Sequence, residues 1–223
     1  MTSLLKHRMK KNSKLSEITR IEIQKKNKNR YSVFLDEEFA FGIDQDVLLS
    51  HGLHKGIKLS QKQIDEIQFA DRKKSAKDRA LRFLSYRDRS EKELRDKLKG
   101  LDYDEMIISW VISELKRLQL IDDQNFAYLF SKNKIFTKPC GEYLLRRELK
   151  IKGISDRIID ETIKRIYAEK DQYGMAYDVA LKKYTKDKDK IDTIKLKKRI
   201  SDLLLRRGFN WEIVRDVLEK LEI

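Results

Sequence analysis

Few side chains in this 223-residue chain have the type and spacing that covalent chemistry needs. Its histidines are His7, His51 and His54; the last two flank Gly52 with no carboxylate or thiol spaced to complete a metal site, so they read as a surface loop. The run Gly52-Leu53-His54-Lys55-Gly56-Ile57-Lys58 has the glycines of a phosphate loop. It lacks the Gly-Lys-Ser/Thr ending whose amine and hydroxyl handle phosphate and magnesium. Asp36-Glu37-Glu38 falls where a hairpin turn belongs, and Asp122-Asp123 falls at a helix start, where acids cap and suit the dipole. Cys140 is the single cysteine, which excludes a disulfide framework, and no histidine or second thiol lies near it in sequence to activate it. No catalytic group, cofactor site or metal site is expected, and the chain does not read as an enzyme.

Cations at helical spacing are the better candidates. Arg146, Arg147, Lys150 and Lys152 lie beside the apolar Leu145 and Leu149, which makes the outward side of that helix basic. Lys195, Lys198 and Arg199 form a matching stripe, and Arg206-Arg207 closes the same helix. Lys25, Lys26, Lys28 and Arg30 fill the polar link between two strand signals. Basic residues at a helix end also complement its dipole, and a basic face can be solvation alone. What favours binding is repetition, because stacked units would set such faces side by side as a track for a polyanion.

The net charge of +14 supports the same class of partner. Residues 1–30 hold ten Lys/Arg against Glu17 and Glu22, so more than half of the excess sits at the N-terminal end. A 40% apolar and 39% charged composition with one proline describes a helical, folded protein. Neither an apolar leader nor a membrane-length apolar run is found, and a cytoplasmic location is expected.

The elements that position these cations are of two kinds. Residues 1–14 carry charge without periodicity and read as a flexible basic arm. Thr19, Ile21 and Ile23, then Tyr31, Val33 and Leu35, then Phe39, Phe41 and Ile43 alternate with polar residues, so 15–59 reads as a small β-rich module of three short antiparallel strands plus a helix. Ser60-x-x-Gln63 is a capping box that opens a connecting helix over 60–74.

Beyond residue 74 the chain repeats itself. Leu94 to Leu98, Leu145 to Leu149 and Ile200 to Leu204 are followed by Gly100, Gly153 and Gly208. Apolar sets led by Met106, Ile158 and Ile213 come next, and Ala80-Leu81, Phe126-Ala127 and Met175-Ala176 mark a helix ahead of each pair. The unit is three helices, A, B and C, repeated over 75–120, 121–169 and 170–223, and stacking predicts an elongated, curved solenoid. A helix-turn-helix reading of B and C fails on the composition of C, whose outward side is largely acidic rather than built for base edges.

Leu120-Ile-Asp-Asp-Gln-Asn-Phe-Ala127 and Leu145-Arg-Arg-Glu-Leu-Lys-Ile-Lys-Gly153, with the ordered repeats from Ser75 to Ile223, resemble the RecX family, and Phe34-Leu-Asp-Glu-Glu-Phe-Ala-Phe41 resembles the extra N-terminal module of its longer members. One departure is the first B-to-C turn, Leu98-Lys99-Gly100-Leu101, which is shorter than Leu149 to Gly153. The resemblance implies a non-catalytic regulator that inhibits the RecA recombinase by lodging along its filament on single-stranded DNA, with effects on recombination and repair; a monomer is expected. The alternative is a non-specific DNA-binding repeat protein that acts without the recombinase.

Overall fold

The computed structural model describes residues 15–223; the basic arm expected over 1–14 lies outside them. The fold has two compact units. One comprises the described residues up to Ser85 together with Leu98–Glu114, the other Tyr86–Lys97 together with Leu115–Ile223.

In the first unit, β1 (Ser16–Gln24), β2 (Asn27–Leu35) and β3 (Glu38–Asp44) form an antiparallel meander, followed by α1 (Gln45–Ser50). The three expected strands are four. β4 (Lys58–Leu59) pairs with Ser16 and Glu17, which gives the sheet order β3-β2-β1-β4. Two residues are too few for alternation to reveal. The first hairpin is also tighter than its polar composition suggested: Gln24 pairs with Asn27, so Lys25-Lys26 is the link, and Lys28 and Arg30 belong to β2. Asp36-Glu37 is the second link, with both residues at positive φ as a two-residue hairpin turn requires. Ile18, Val33, Phe41 and Ile43 share one sheet face and pack with Val47, Leu48, Leu53 and the Ile64 and Ile67 of α2 (Gln61–Tyr86).

Helix α2 is a single element of 26 residues, where two helices, one ending near Lys74 and one around Ala80, were expected. It begins at the expected capping box, in which Gln63 N donates to Ser60 Oγ and Ser60 N donates to Gln63 Oε1 at 2.9 Å. No glycine or proline interrupts it, and Ser75, a residue able to start a new helix, bonds Tyr103 Oη at 2.8 Å instead.

The remaining helices are α3 (Glu91–Lys99), α4 (Glu105–Arg117), α5 (Asp123–Thr137), α6 (Glu142–Ile151), α7 (Asp156–Glu169), α8 (Gln172–Asp187), α9 (Thr193–Arg206) and α10 (Trp211–Lys220). With the end of α2 they make three A-B-C sets. Phe126, Leu145, Leu149, Ile159 and Ile163 anchor the core of the second repeat; Ala180, Ile200, Leu204, Val214 and Leu218 anchor that of the third.

The three B-to-C turns have one backbone design. Tyr103, Ile154 and Phe209 donate N–H to the carbonyls of Leu98, Leu149 and Leu204, and Asp102, Gly153 and Gly208 donate to Lys99, Lys150 and Leu205. This pair of bonds is a Schellman motif, which needs a left-handed residue after the helix. Gly153 (φ 79°) and Gly208 (φ 82°) fill that position; in the first repeat it is Asp102 (φ 59°), not Gly100. Aspartate tolerates this region better than most side chains, which is why the sequence hid the turn. The first C helix therefore starts one residue later than its aligned apolar set. Met106 is 71% exposed, whereas Ile108, Val111, Ile112 and Leu115 are buried as Ile159, Thr162, Ile163 and Ile166 are.

Candidate polyanion-binding surface

Each glycine turn of the second unit is docked against an earlier B helix, and this docking engages Lys152 and Arg207 of the expected binding residues. The turn after α6 meets the start of α3: Ser90 Oγ donates to the Lys152 carbonyl at 2.7 Å, and Lys92 Nζ donates to the Ile151 carbonyl at 3.2 Å. Lys152 Nζ pairs with the Glu93 carboxylate, which also takes Arg87 at 2.9 Å. Burial would push the Glu93 carboxyl up, but the hydrogen bonds and charges of Arg87 and Lys152 outweigh it and bring it down to about 2. The expected pairing of the acids at 122 and 123 is divided here. Asp122 caps its own helix α5 through Gln124 N and Asn125 N, whereas Asp123 accepts from Glu91 N at 2.8 Å and so caps α3.

The turn after α9 meets the start of α6 through backbone. Gly141 N donates to the Arg207 carbonyl at 2.9 Å, and Tyr143 N donates to the Gly208 carbonyl at 3.1 Å. Arg207 Nη1 donates to the Pro139 carbonyl at 3.1 Å. The approach is close enough that a Cβ on Gly208 would stand 2.5 Å from that of Leu144.

The cations proposed from sequence therefore fall into two groups. Arg146 is clamped by Asp160 at 2.7 Å and Glu142 at 3.3 Å, and the Asp160 hydrogen bond raises the guanidinium pKa above its ordinary value. Lys150 pairs with Asp156 at 2.9 Å, and Lys195 with Asp192 at 3.0 Å at the start of its own helix. Arg199 reaches Asp187 at 3.6 Å. Arg30 joins the sheet to α2, donating to Asp71 at 2.8 Å and to the Gly42 carbonyl at 3.2 Å, while Asp71 also accepts from Asp44 N at 2.7 Å. With Lys152 and Arg207, these side chains are engaged by partners within the chain, although the pairs of Lys150 and Lys195 are exposed and contribute little to stability.

Arg147, Lys198, Lys25, Lys26 and Lys28 are exposed and have no acidic partner among the described residues. Arg206 is exposed too, its Nε donating only to the Asp202 carbonyl of its own helix. The structure brings two of the group together: Arg147 of α6 and Arg206 of α9 line one shallow depression of about 340 Å³, floored by Leu144, Leu205 and Gly208 and edged by Tyr143.

A second basic region was not visible as a run in the sequence. Lys138 and Arg207, with Lys182, Lys183 and Lys186 of α8, line a groove of about 490 Å³ that also holds Asp178. Beside it lies an apolar pocket of about 580 Å³ between Leu129, Lys132, Phe136 and Lys170; Pro139 and Met175 line both.

The side chains considered for chemistry have local roles. His51 Nδ1 lies 2.9 Å from the Val47 carbonyl, and His54 Nδ1 2.9 Å from that of Lys55. Cys140 is fully buried, which pushes its thiol pKa up and away from reactivity. Among the described residues no three His, Cys, Asp or Glu side chains are placed to hold a metal ion, and no helix is long and apolar enough to cross a membrane.

Four family models match the chain in order: the regulatory protein RecX N-terminal domain over residues 16–60, and the first, second and third RecX three-helix domains over 76–115, 122–163 and 169–218. A regulatory protein RecX of Bacillus velezensis is 40% identical, covering 92% of this chain and 77% of that protein. One from Clostridium acetobutylicum is 36% identical, with coverage of 92% and 95%. A crystal structure of regulatory protein RecX superposes with a TM-score of 0.71 at 31% identity, covering 92% of this chain and all of the other. That of RecX from Lactobacillus salivarius gives 0.61 at 30% identity over 69% of this chain.

Proposed function

This chain belongs to the RecX family of regulatory proteins, and from that premise we propose that it is a non-catalytic, cytoplasmic inhibitor of the RecA recombinase. It acts as a monomer, seating its B helices along the RecA filament on single-stranded DNA. The observation that carries this reading is the convergence of Arg147 and Arg206. They come from equivalent helices of two repeats, both are exposed, and they line one depression next to the exposed ring of Tyr143. Unpaired arginine beside an exposed aromatic suits an interface with phosphate or with an acidic protein surface. Lys198, Lys25, Lys26 and Lys28 extend the same role as screened charges that steer association.

The test is a titration of the protein into RecA, ATP and single-stranded DNA while ATP hydrolysis is followed. Hydrolysis falls at substoichiometric to equimolar protein, and Arg147→Glu with Arg206→Glu raises the amount needed. An unchanged rate up to equimolar wild-type protein sinks the reading.

A further inference from the structure

Helix α5 presents one face that the core does not use. Leu129, Lys132, Asn133 and Phe136 recur at helical spacing along it and line the pocket of about 580 Å³. Leu129 is 43% exposed and Phe136 87%, although Ile135 next to it is buried. A single exposed apolar side chain is ordinary on a protein surface, but two on one face, opening on one pocket with a polar rim, mark a contact surface. The remaining apolar walls are Ile135, Pro139 and Met175, none of them aromatic. The unbranched thioether of Met175 lets that wall adjust to the group it meets.

The rim is cationic. Lys132 and Lys170 border the pocket, and Lys138, Lys182 and Lys186 line the adjoining groove, which meets the pocket at Pro139 and Met175. These lysines are exposed and have no acidic partner among the described residues, while Lys183 of the groove is paired with Asp187 at 2.8 Å. No carboxylate lines the pocket, and Asp178 is the one that lines the groove. Lys182 and Lys186 stand one turn apart on α8, a spacing at which like charges destabilise a helix.

We propose that pocket and groove together dock a short acidic segment of a partner protein. One bulky apolar side chain of the segment sits between Leu129, Phe136 and Met175, and the carboxylates on either side of it face the rim and groove lysines. A simple anion would use the lysines and leave the pocket empty. A nucleic-acid base would bring polar edges to walls that offer them little to bond, at the cost of their water. A second copy of this chain carries the same net charge of +14, which opposes its approach to a cationic rim. A hydrocarbon side chain between carboxylates satisfies both halves of the surface. The proposal needs no recombinase, so it stands or falls separately from the filament reading.

The experiment uses the full chain without RecA and a fluorescein-labelled octapeptide, Glu-Asp-Glu-Leu-Phe-Glu-Asp-Glu, followed by anisotropy over a range of salt. A companion peptide with Ala-Ala at its centre should bind about tenfold more weakly, the scale of one lost anchoring side chain. Phe136→Ala should weaken the first peptide by a similar factor and narrow the gap between the two, because ring and anchor act as a pair. Lys182→Gln with Lys186→Gln should weaken both peptides and flatten their salt dependence. Thermal melting of these variants should match the wild type, since the replaced side chains are exposed, and the peptide swap needs no protein variant at all. Four results overturn the proposal: no binding of the first peptide at low salt; equal binding of the two peptides; a dT oligonucleotide weakened by Phe136→Ala as much as the peptide is, which puts a base in the pocket; or a dimer in sedimentation that Phe136→Ala abolishes, which puts a second copy there. The RecA hydrolysis assay on the same variants reports on the filament reading independently.

Discussion

The turns after α6 and after α9 share a Schellman backbone, a left-handed glycine and a basic residue just ahead of it, yet they are fastened to their neighbours by different chemistry. Lys152-Gly153 is held by side chains, chiefly the Lys152–Glu93–Arg87 cluster and the Ser90 hydroxyl. Arg207-Gly208 is held by backbone, through Gly141 N and Tyr143 N, at a separation that leaves no room for a Cβ. A repeat can thus keep its internal geometry while the seam between repeats is rebuilt from whatever groups the sequence provides. Both seams should answer to volume, and only the first to charge.

Gly208→Ala should have the largest effect. It places a Cβ against the backbone and Cβ of Leu144 and forces alanine to φ 82°, so a loss of about 3 kcal/mol or more is expected in denaturant unfolding. Gly153→Ala also sets a Cβ 2.5 Å from that of Lys92 at φ 79°, but it meets no backbone atom and should cost somewhat less, about 2 kcal/mol; equal losses would erase this difference between the seams. Acid acts on the other seam. The Glu93 carboxyl is depressed in the folded chain, so its contribution is present in full above its ordinary value of 4.5 and is lost as pH falls toward about 2. With a discount for solvent screening this amounts to about 2 kcal/mol, and Glu93→Gln should remove the same pH dependence from a series of denaturation curves. Arg147→Glu with Arg206→Glu should shift stability by less than about 0.5 kcal/mol, because neither side chain fastens a seam. Gly100→Ala should shift it least, since Gly100 is exposed and does not take the left-handed position.

The second and third turns were legible because glycine marks a left-handed residue; the first was not, because Asp102 does the same work without that mark. The fused α2 was hidden by a serine whose hydroxyl is spent on Tyr103, a contact that composition cannot show. For the surface, the sequence located basic helix faces but not their partners. Glu93, which engages Lys152, lies 59 residues away in the chain, and Asp71, which engages Arg30, lies 41 away. The groove went unseen for the converse reason: Lys138 and the Lys182-Lys186 pair are remote in sequence and come together only where the end of α5 lies beside α8.

The stretch Asp71 to Ser75 of α2 bears on how the N-terminal module could be separated from the rest. Its first residue grips the sheet through Arg30, and Lys74 reaches Asp46 of α1 and Asp78 of its own helix, while three others turn to the first repeat: Arg72 to Asp104 and the Asp102 carbonyl, Lys73 over the Trp110 ring at 4.0 Å, and Ser75 to Tyr103. A chain started at Ser60 would strand Asp71 without its arginine and bare Ile64 and Ile67 to water. The module is grafted rather than appended, and an autonomous repeat fragment calls for Asp71, Ile64 and Ile67 to be redesigned along with the cut.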